Sequence, residues 1–530
     1  MDNAIIDNGM KEILSESVNP ANGMVIGHTK EDTVENLFRS VHLAHAAQKE
    51  WSKKSFNERA AYLNRIRDYI AENADIISEV ISKDNGKTRI DAISTEVLPV
   101  TMALSYYSKN AARLLKRKHL KAGNILTINK RTYVDHVPYG VIGIISPWNY
   151  PFAIPFHEIA MALITGNAVV LKVASNTLEV GRVIKQCVEA GGLPENIFTL
   201  VNIPGSKAGD AFIDSGIDKL FFTGSVAVGK KLMKKASERL MPVSLELGGN
   251  DAMIVCSDAD LHRAAAGAVW AGFSNCGQSC AGVERIYVEE KVYDSFMSLL
   301  KTKLSLLRIG EDTGDFSISM GSMTTENQLK TVKLHVEDAR TKGASVYVAS
   351  DINKDSKGLF HPAVILENVN DSMLAMQEET FGPVAGVEKV RDLEEAIAKA
   401  NTSSLGLTAS VWTRDRKKAH YAASKLEAGS IMINDHLMSH GLAEVPWGGF
   451  KESGLGRTHS YLGLEEMTQP RAVVDDIMPG IRKNMWWHPH DRSVYEGLKG
   501  GIDFLYSGNL SKKFDGLIKL SRTFLRSFKA

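Results

Sequence analysis

The sequence predicts an α/β fold, with two doubly wound parallel-sheet domains and a small β-hairpin element. Three observations predict it. The chain has 530 residues and a mass of 58.1 kDa, too long for one hydrophobic core. Short apolar runs alternate with helix-period stretches from Gly140 to Phe222, and the alternation returns from Ala252 to Asn434; this is the rhythm of parallel strands joined by crossover helices. Between the N-terminal region and the first block, Leu120 to Val137 reads as extended, with Ile125, Thr127, Thr132 and Val134 in β-type chemistry and Asn124, Asn129 and Lys130 as turn residues.

Taken in order, Asp32 to Asn110 is helical. Val34, Leu37, Val41, Ala44 and Ala47 recur at three- and four-residue steps, and similar stretches follow at Tyr62 to Ile70 and Ile76 to Ile81. In the first block the strands are Gly140 to Ile145, Ala168 to Val173, Ile197 to Val201 and Lys219 to Phe222. The stretches between them are Pro155 to Thr165, Leu178 to Glu189 and Asp210 to Ser215. A helix-like segment, Gly229 to Leu240, follows. The second block has strand candidates at Ala252 to Cys256, Arg285 to Val288, Ser345 to Tyr347, Pro362 to Leu366, Ala385 to Val387, Ala409 to Trp412 and Ser430 to Asn434. Parallel sheets of this kind bind ligands beyond the carboxyl ends of their strands.

Hydrophobic residues make up 44% and charged residues 24%, which excludes a disordered chain and a membrane-embedded body. With 63 basic and 62 acidic residues the formal charge is +1, so nothing points to nucleic acid, and a small-molecule partner is expected. The four cysteines, Cys187, Cys256, Cys276 and Cys280, show no metal-ligand spacing, and no metal site is expected. The N-terminus has no basic region before an apolar stretch, and no apolar run reaches the roughly eighteen residues of a membrane span. A soluble, cytoplasmic protein is expected.

The chemistry concentrates in two segments. Cys280 sits among small residues in Phe273-Ser-Asn-Cys-Gly-Gln-Ser-Cys280-Ala-Gly282, and Glu246 lies 34 residues upstream in Leu245-Glu-Leu-Gly-Gly-Asn250. A thiol that attacks a carbonyl and a carboxylate that activates water are what thioester chemistry requires. An unperturbed thiol is only a few per cent thiolate at neutral pH, so either a local depression of its pKa or proton removal by Glu246 is expected.

Further segments keep company with these: Ser146-Pro-Trp-Asn-Tyr-Pro151, Gln377-Glu-Glu-Thr-Phe-Gly-Pro-Val384 and Pro446-Trp-Gly-Gly-Phe-Lys-Glu-Ser-Gly-Leu-Gly-Arg457. Together the five segments resemble, in order and spacing from about residue 20 to about residue 475, the signatures of the NAD(P)-dependent, hydrolytic aldehyde dehydrogenase superfamily. The resemblance implies oxidation of an aldehyde to its acid, with Cys280 as nucleophile, Glu246 as base and the Asn149 amide holding the developing oxyanion.

The same resemblance implies NAD(P)+ as cofactor. Its pyrophosphate would lie at the Phe222-Thr-Gly-Ser-Val-Ala-Val-Gly229 turn, with Gly224, Ser225 and Gly229 as the binding positions. Gly205 and Gly209 match positions on the adenosine side, and Trp148 completes the cofactor set. Lys172 matches a ribose ligand, and Glu379 and Phe381 match the residues at the nicotinamide ribose and ring. Ser175 stands where many NAD-preferring members carry glutamate, which favours NADP, since a serine does not repel a 2′-phosphate.

By the same analogy, residues 1–120 with 139–247 form the dinucleotide-binding domain and 248–445 the catalytic domain. Residues 121–138 with 470–480 form an oligomerisation element giving a dimer or tetramer, and 446–469 return to the first domain. Arg457 and Glu452 would anchor that return. Residues 481–530 depart from the pattern. There Leu510, Phe514, Leu517, Ile518, Phe524, Leu525 and Phe528 fall on one helical face, away from most of Lys512, Lys513, Lys519, Arg522, Arg526 and Lys529. The first reading is that this face packs on the chain's own body or a neighbouring subunit; the second is contact with a membrane surface.

No arginine cluster awaits a substrate carboxylate, and an apolar, long-chain or aromatic aldehyde is preferred over a semialdehyde. His436, Met438 and His440 are expected at the entrance, and Cys276 is a candidate resolving thiol. Three other readings stand beside this one: a semialdehyde dehydrogenase, a CoA-acylating member of the same fold, for which Glu246 would be superfluous, and a non-catalytic structural protein.

Overall fold

The computed structural model describes residues 13–349, 357–478 and 480–528. The N-terminal twelve residues and Lys529 lie outside them. The contacts divide into two compact units, one with residues up to Leu115 and Pro138–Gln469, the other with Lys116–Val137 and the segment from Pro470 onward.

The first unit opens with the antiparallel pair β1 (Leu14–Val18) and β2 (Val25–Lys30). Helices α1 (Val34–Trp51), α2 (Phe56–Glu72), α3 (Ala74–Asn85), α4 (Arg89–Ala92) and α5 (Leu98–Leu114) follow. The apolar period places Leu37, Val41 and Ala44 fully in the core. Ser55 and Glu58 form a reciprocal capping box that starts α2. Helix α3 stops at Gly86, whose φ of +94° is left-handed and where an added Cβ would fall 2.3 Å from Ser322 Oγ.

After β3 (Lys118–Leu120) and β4 (Lys130–Pro138), which belong to the second unit, comes the first large sheet. Its strands are β5 (Val141–Ile145), β6 (Ala168–Lys172), β7 (Phe198–Leu200), β8 (Lys219–Thr223) and β9 (Val243–Glu246), with α6 (Ala153–Thr165), α7 (Leu178–Ala190), α8 (Gly205–Asp214) and α9 (Val226–Ser237) between them. These five strands are parallel, in the order β9-β8-β5-β6-β7. Strands β5 and β6 are buried along their whole length, which is why they read as continuous apolar runs. The strand order reverses between β5 and β8, so the loops after those two strands frame a crevice.

The second sheet is built from β10 (Asp251–Val255), β11 (Val283–Glu289), β12 (Ser345–Val348), β13 (Val364–Glu367), β14 (Val384–Val390), β16 (Thr408–Trp412) and β17 (Ser430–Ile433), after the short β15 (Leu405–Gly406) is set aside. Its order is β12-β13-β14-β11-β10-β16-β17, parallel except for edge strand β12. Helices α10 (Leu261–Phe273), α11 (Tyr293–Leu304), α12 (Glu326–Thr341), α13 (Leu374–Gln377), α14 (Leu393–Ala400) and α15 (Arg416–Lys425) connect it. After α16 (Met438–Gly441) the chain returns to the first sheet. There β18 (Phe450–Lys451) pairs with β15, and β19 (Gly454–Leu455) pairs antiparallel with β9, setting Gly454 opposite Glu246. Helix α17 (Ser460–Glu466) closes this unit.

In the second unit β20 (Thr468–Asp476), β4 and β3 form a three-stranded sheet. The extended reading of Leu120 to Val137 needs correction: Ile125–Thr127 is a turn of 3-10 helix, because the Asn124 side chain accepts the Leu126 amide and caps it. The tail also differs. It is two helices, α18 (Arg492–Tyr506) and α19 (Leu510–Phe524), packed against each other. The face of α19 that meets α18 carries Gly516, Leu520 and Thr523, not the predicted apolar stripe, which stays exposed.

Candidate active site

Cys280 lies on the loop between α10 and β11, and three cavities meet at it. The loop is bent sharply: Asn275 and Cys276 take left-handed φ values of 51° and 55°, each at a cost of about 1–3 kcal/mol that surrounding contacts must offset. Those contacts come from Asp91, which accepts the Ser274 hydroxyl at 3.0 Å and the Asn275 amide at 3.2 Å. His436 holds the other side. One ring nitrogen is 3.0 Å from the Ala281 carbonyl and the other 2.7 Å from Ser410 Oγ, so a neutral ring donating to Ala281 fits both, and burial holds its pKa down to about 4. His436 is therefore a clamp behind the Cys280 loop and does not line the entrance. Met438 and His440 do line it.

The first cavity, about 770 Å3, opens beside Cys280, and the exposed apolar residues Leu98, Met102, Trp270 and Met438 lie along it. No Lys, Arg, Asp or Glu lines it among the described residues.

The second is a small chamber lined by Glu246, Glu158, His157, His459 and Thr223, with room for about one water molecule. Six polar atoms on its wall are buried and unpaired by protein: both ring nitrogens of His157, His459 Nε2, Thr223 Oγ1, Glu158 Oε2 and Glu246 Oε2. Groups of this kind are satisfied by ordered water, and the chamber is roomy and polar enough to hold it. Burial raises Glu246 to about 8, with Arg457 and a hydrogen bond from Trp447 pulling the other way and Glu466 adding to the rise. Burial, reinforced by the charge of Glu246, pushes Glu158 well above the carboxylate range. Burial pushes His157 and His459 down, so the imidazoles are neutral. His157, Glu158 and His459 carry no motif readable in the sequence, and only the fold sets them against Glu246.

The third cavity, an open cleft of about 730 Å3, occupies the crevice between the β5 and β8 loops. Trp148, Asn149, Gly224, Ser225, Glu379 and Phe381 line it, as does Cys280. Trp148 and Phe381 meet edge to face, ring centroids 5.4 Å apart. Glu379 accepts the Gly249 amide at 3.0 Å, and burial raises it to about 8. Glu284, unanticipated from the sequence, accepts the amides of Thr380 and Phe381 at 2.8 and 2.7 Å and fixes Phe381 with φ +50°. Ser225 caps α9 by accepting the Val228 amide.

Lys172 ends β6 buried, with no hydrogen-bond partner among the described residues, and burial lowers its pKa to about 8. A Cβ on Gly205 would still lie 3.9 Å from Lys172 Nζ. An orphaned ammonium beside open space at the start of α8 fits ribose hydroxyls or a phosphate. Ser175 is exposed on the adjoining loop. Gly209, Gly224 and Gly229 also permit close packing: a Cβ would fall 2.5 Å from Leu232, 2.6 Å from Phe222 and 2.7 Å from Leu247.

Asn149 is buried, and its amide nitrogen donates to the Gln278 carbonyl at 3.2 Å, which aims it at the Cys280 loop. Of the two alternatives expected for the thiol, a depressed pKa and proton removal by Glu246, the first is not what the structure gives. Burial raises Cys280 well above its usual value, and Glu379, Asp251 and Glu246 add to the rise. Cys276 is fully buried in the second sheet's hydrophobic core. Arg457 donates to the Gly449 and Gly456 carbonyls, and Glu452 pairs with Lys230 at 2.7 Å, so both tie down the return segment.

The sequence profile of the aldehyde dehydrogenase family matches residues 7–473. The chain belongs to that family. Among curated relatives, a 4,4'-diapolycopene aldehyde oxidase from Methylomonas sp is 36% identical over 491 residues, 92% of this chain and 91% of that protein. A Mycolicibacterium smegmatis protein provisionally named succinate-semialdehyde dehydrogenase [NADP(+)] is 38% identical over 461 residues, 86% of this chain and 88% of its own. The NAD+ complex of a Bacillus cereus aldehyde dehydrogenase superposes with a TM-score of 0.83 at 31% identity, covering 88% of this chain and 94% of the other. An aldehyde dehydrogenase is an oxidoreductase acting on aldehydes with NAD(P)+, and the cleft lined by Ser225 and Glu379, with the unpaired Lys172 ammonium at the start of α8, suits that cofactor.

Proposed function

We propose that this aldehyde dehydrogenase oxidises an apolar, long-chain or aromatic aldehyde to its carboxylic acid, with Cys280 as nucleophile and Glu246 as base. The observation that carries this is the meeting of three cavities at one sulfur: a cavity lined mainly by apolar residues, a small chamber holding Glu246, and the open cleft between the β5 and β8 loops. The Cys280 sulfur adds to the aldehyde carbon as its proton leaves toward Glu246, and the Asn149 amide steadies the oxygen of the thiohemiacetal. NAD(P)+, when bound, supplies the hydride acceptor that makes the thioester. Water from the chamber then attacks the thioester carbonyl; Glu246 takes its proton, the C–S bond breaks, and the acid and the thiol are released. Glu158 and the neutral imidazoles of His157 and His459 pass the proton onward through chamber water.

The chamber supports hydrolysis over transfer to CoA, because an unpaired carboxylate beside water is what a deacylating base needs. The first cavity's mainly apolar lining supports an apolar chain over a semialdehyde, whose carboxylate would find no counter-charge there. Ser175 and the unpaired Lys172 favour NADP over NAD. The β3, β4 and β20 sheet is the element proposed to build a homo-oligomer.

The test is an aldehyde series graded by chain length, with NAD+ and NADP+ in parallel and Cys280→Ala as control. The expected result is kcat/KM rising with chain length and NADP+ preferred. Preference for succinic semialdehyde over every apolar aldehyde would sink the substrate assignment.

A further inference from the structure

We propose that the C-terminal helical hairpin docks the protein on an anionic lipid bilayer. The hairpin is built the opposite way round from a soluble one. Its helices meet through glycines: a Cβ on Gly516 would fall 2.4 Å from the Gly500 carbonyl, and one on Gly497 would fall 2.0 Å from Thr523 Oγ1. Close backbone packing leaves the large side chains outside. On α19 and the turn after it, Leu510, Phe514, Leu517, Phe524, Leu525 and Phe528 recur at helical spacing and are all exposed, Leu510 by 82% and Phe514 by 68%. On α18 the exposed apolar residues are Tyr495, Ile502 and Tyr506, one turn or two apart.

The contacts 497 to 523 and 500 to 516 make the helices antiparallel. At 100° per residue the exposed stripe of α19 lies a little over one-third of a turn from its contact face, whereas Tyr495, Ile502 and Tyr506 lie almost opposite the contact face of α18. The apolar surface offered to a bilayer is therefore the stripe of α19 and the turn after it.

Charge selects the occupant. From Gly480 to the end there are ten Lys or Arg against four Asp or Glu, while the rest of the chain has 53 against 58. Lys512, Lys513 and Arg522 form no ion pair among the described residues, and at 100° per residue Lys513 and Arg522 lie on the two sides of the stripe. Pairing two copies of this surface would set like charges together, whereas an anionic bilayer satisfies both the apolar stripe and its basic margin.

The experiment is co-sedimentation of the full-length enzyme with phosphatidylcholine vesicles, with and without phosphatidylglycerol, at low and high salt. Wild type is expected to pellet with the anionic vesicles at low salt. The variants Phe514→Ser/Leu517→Ser/Leu525→Ser and Lys512→Gln/Lys513→Gln/Arg522→Gln should each bind about ten-fold less. Both should keep full activity on a short water-soluble aldehyde, which reports that they are folded. The proposal is overturned if wild type does not bind anionic vesicles, if it binds neutral ones equally, or if the serine variant breaks up the native oligomer and leaves lipid binding unchanged.

Discussion

Lys87 and Glu96 form an ion pair 2.6 Å long with both side chains completely buried. The second carboxylate oxygen of Glu96 accepts the amides of Phe152 and Ala153 at 2.8 and 3.1 Å, and Lys87 donates to the Asn149 carbonyl at 2.8 Å. The pair therefore fixes the backbone on both sides of the segment that presents Asn149. Glu96→Gln leaves a buried ammonium without its counter-charge, and about 3–5 kcal/mol of stability should be lost. Thermal melting of Glu96→Gln beside the double variant Lys87→Met/Glu96→Leu reads this out, the double variant melting higher because no charge is stranded.

Glu246→Gln removes the base from both thiol deprotonation and deacylation. Rapid mixing should show the burst of reduced cofactor slowed along with steady turnover, the latter lower by about 10²–10⁴-fold. A burst of about one per site at the wild-type rate would confine Glu246 to the deacylation step.

The pH dependence follows from the burial of Glu246. With a pKa of about 8 it is mainly protonated at neutral pH, and only the ionised form is a base. Turnover should climb with pH and level off above roughly pH 8–9, falling about ten-fold for each unit below the midpoint. A kcat profile flat from pH 6 to 9 in the wild type would count against this base.

Asn149→Ala should lower kcat by about 10²–10³-fold with little change in KM, as expected for a donor that matters only when the oxyanion forms. Circular dichroism matching the wild type excludes a collapsed loop.

Ser175→Glu places a carboxylate on the loop beside Lys172, where a 2′-phosphate would be repelled. KM for NADP+ should rise at least about ten-fold while KM for NAD+ holds or falls. Equal effects on both cofactors would move the adenosine site elsewhere.

The sequence by itself determined the alternating elements, because burial on both faces of a parallel strand leaves a continuous apolar run, as in Val141–Ile145. It also pointed to the candidate reacting pair, because Cys280 and Glu246 lie in short segments whose small neighbours are local. It did not reveal α18, since Gly497, Gly500 and Gly501 read as breakers, and only the closeness of α19 shows why glycine is needed there. Tertiary structure alone decided the chamber, where His157 and Glu158 meet His459 from the far end of the chain, and it decided that Cys280 and Glu246 both sit above their ordinary pKa values. Periodicity and residue chemistry are local properties that a sequence carries. Desolvation is set by whatever folds across a group, and that exists only once the chain has closed around it.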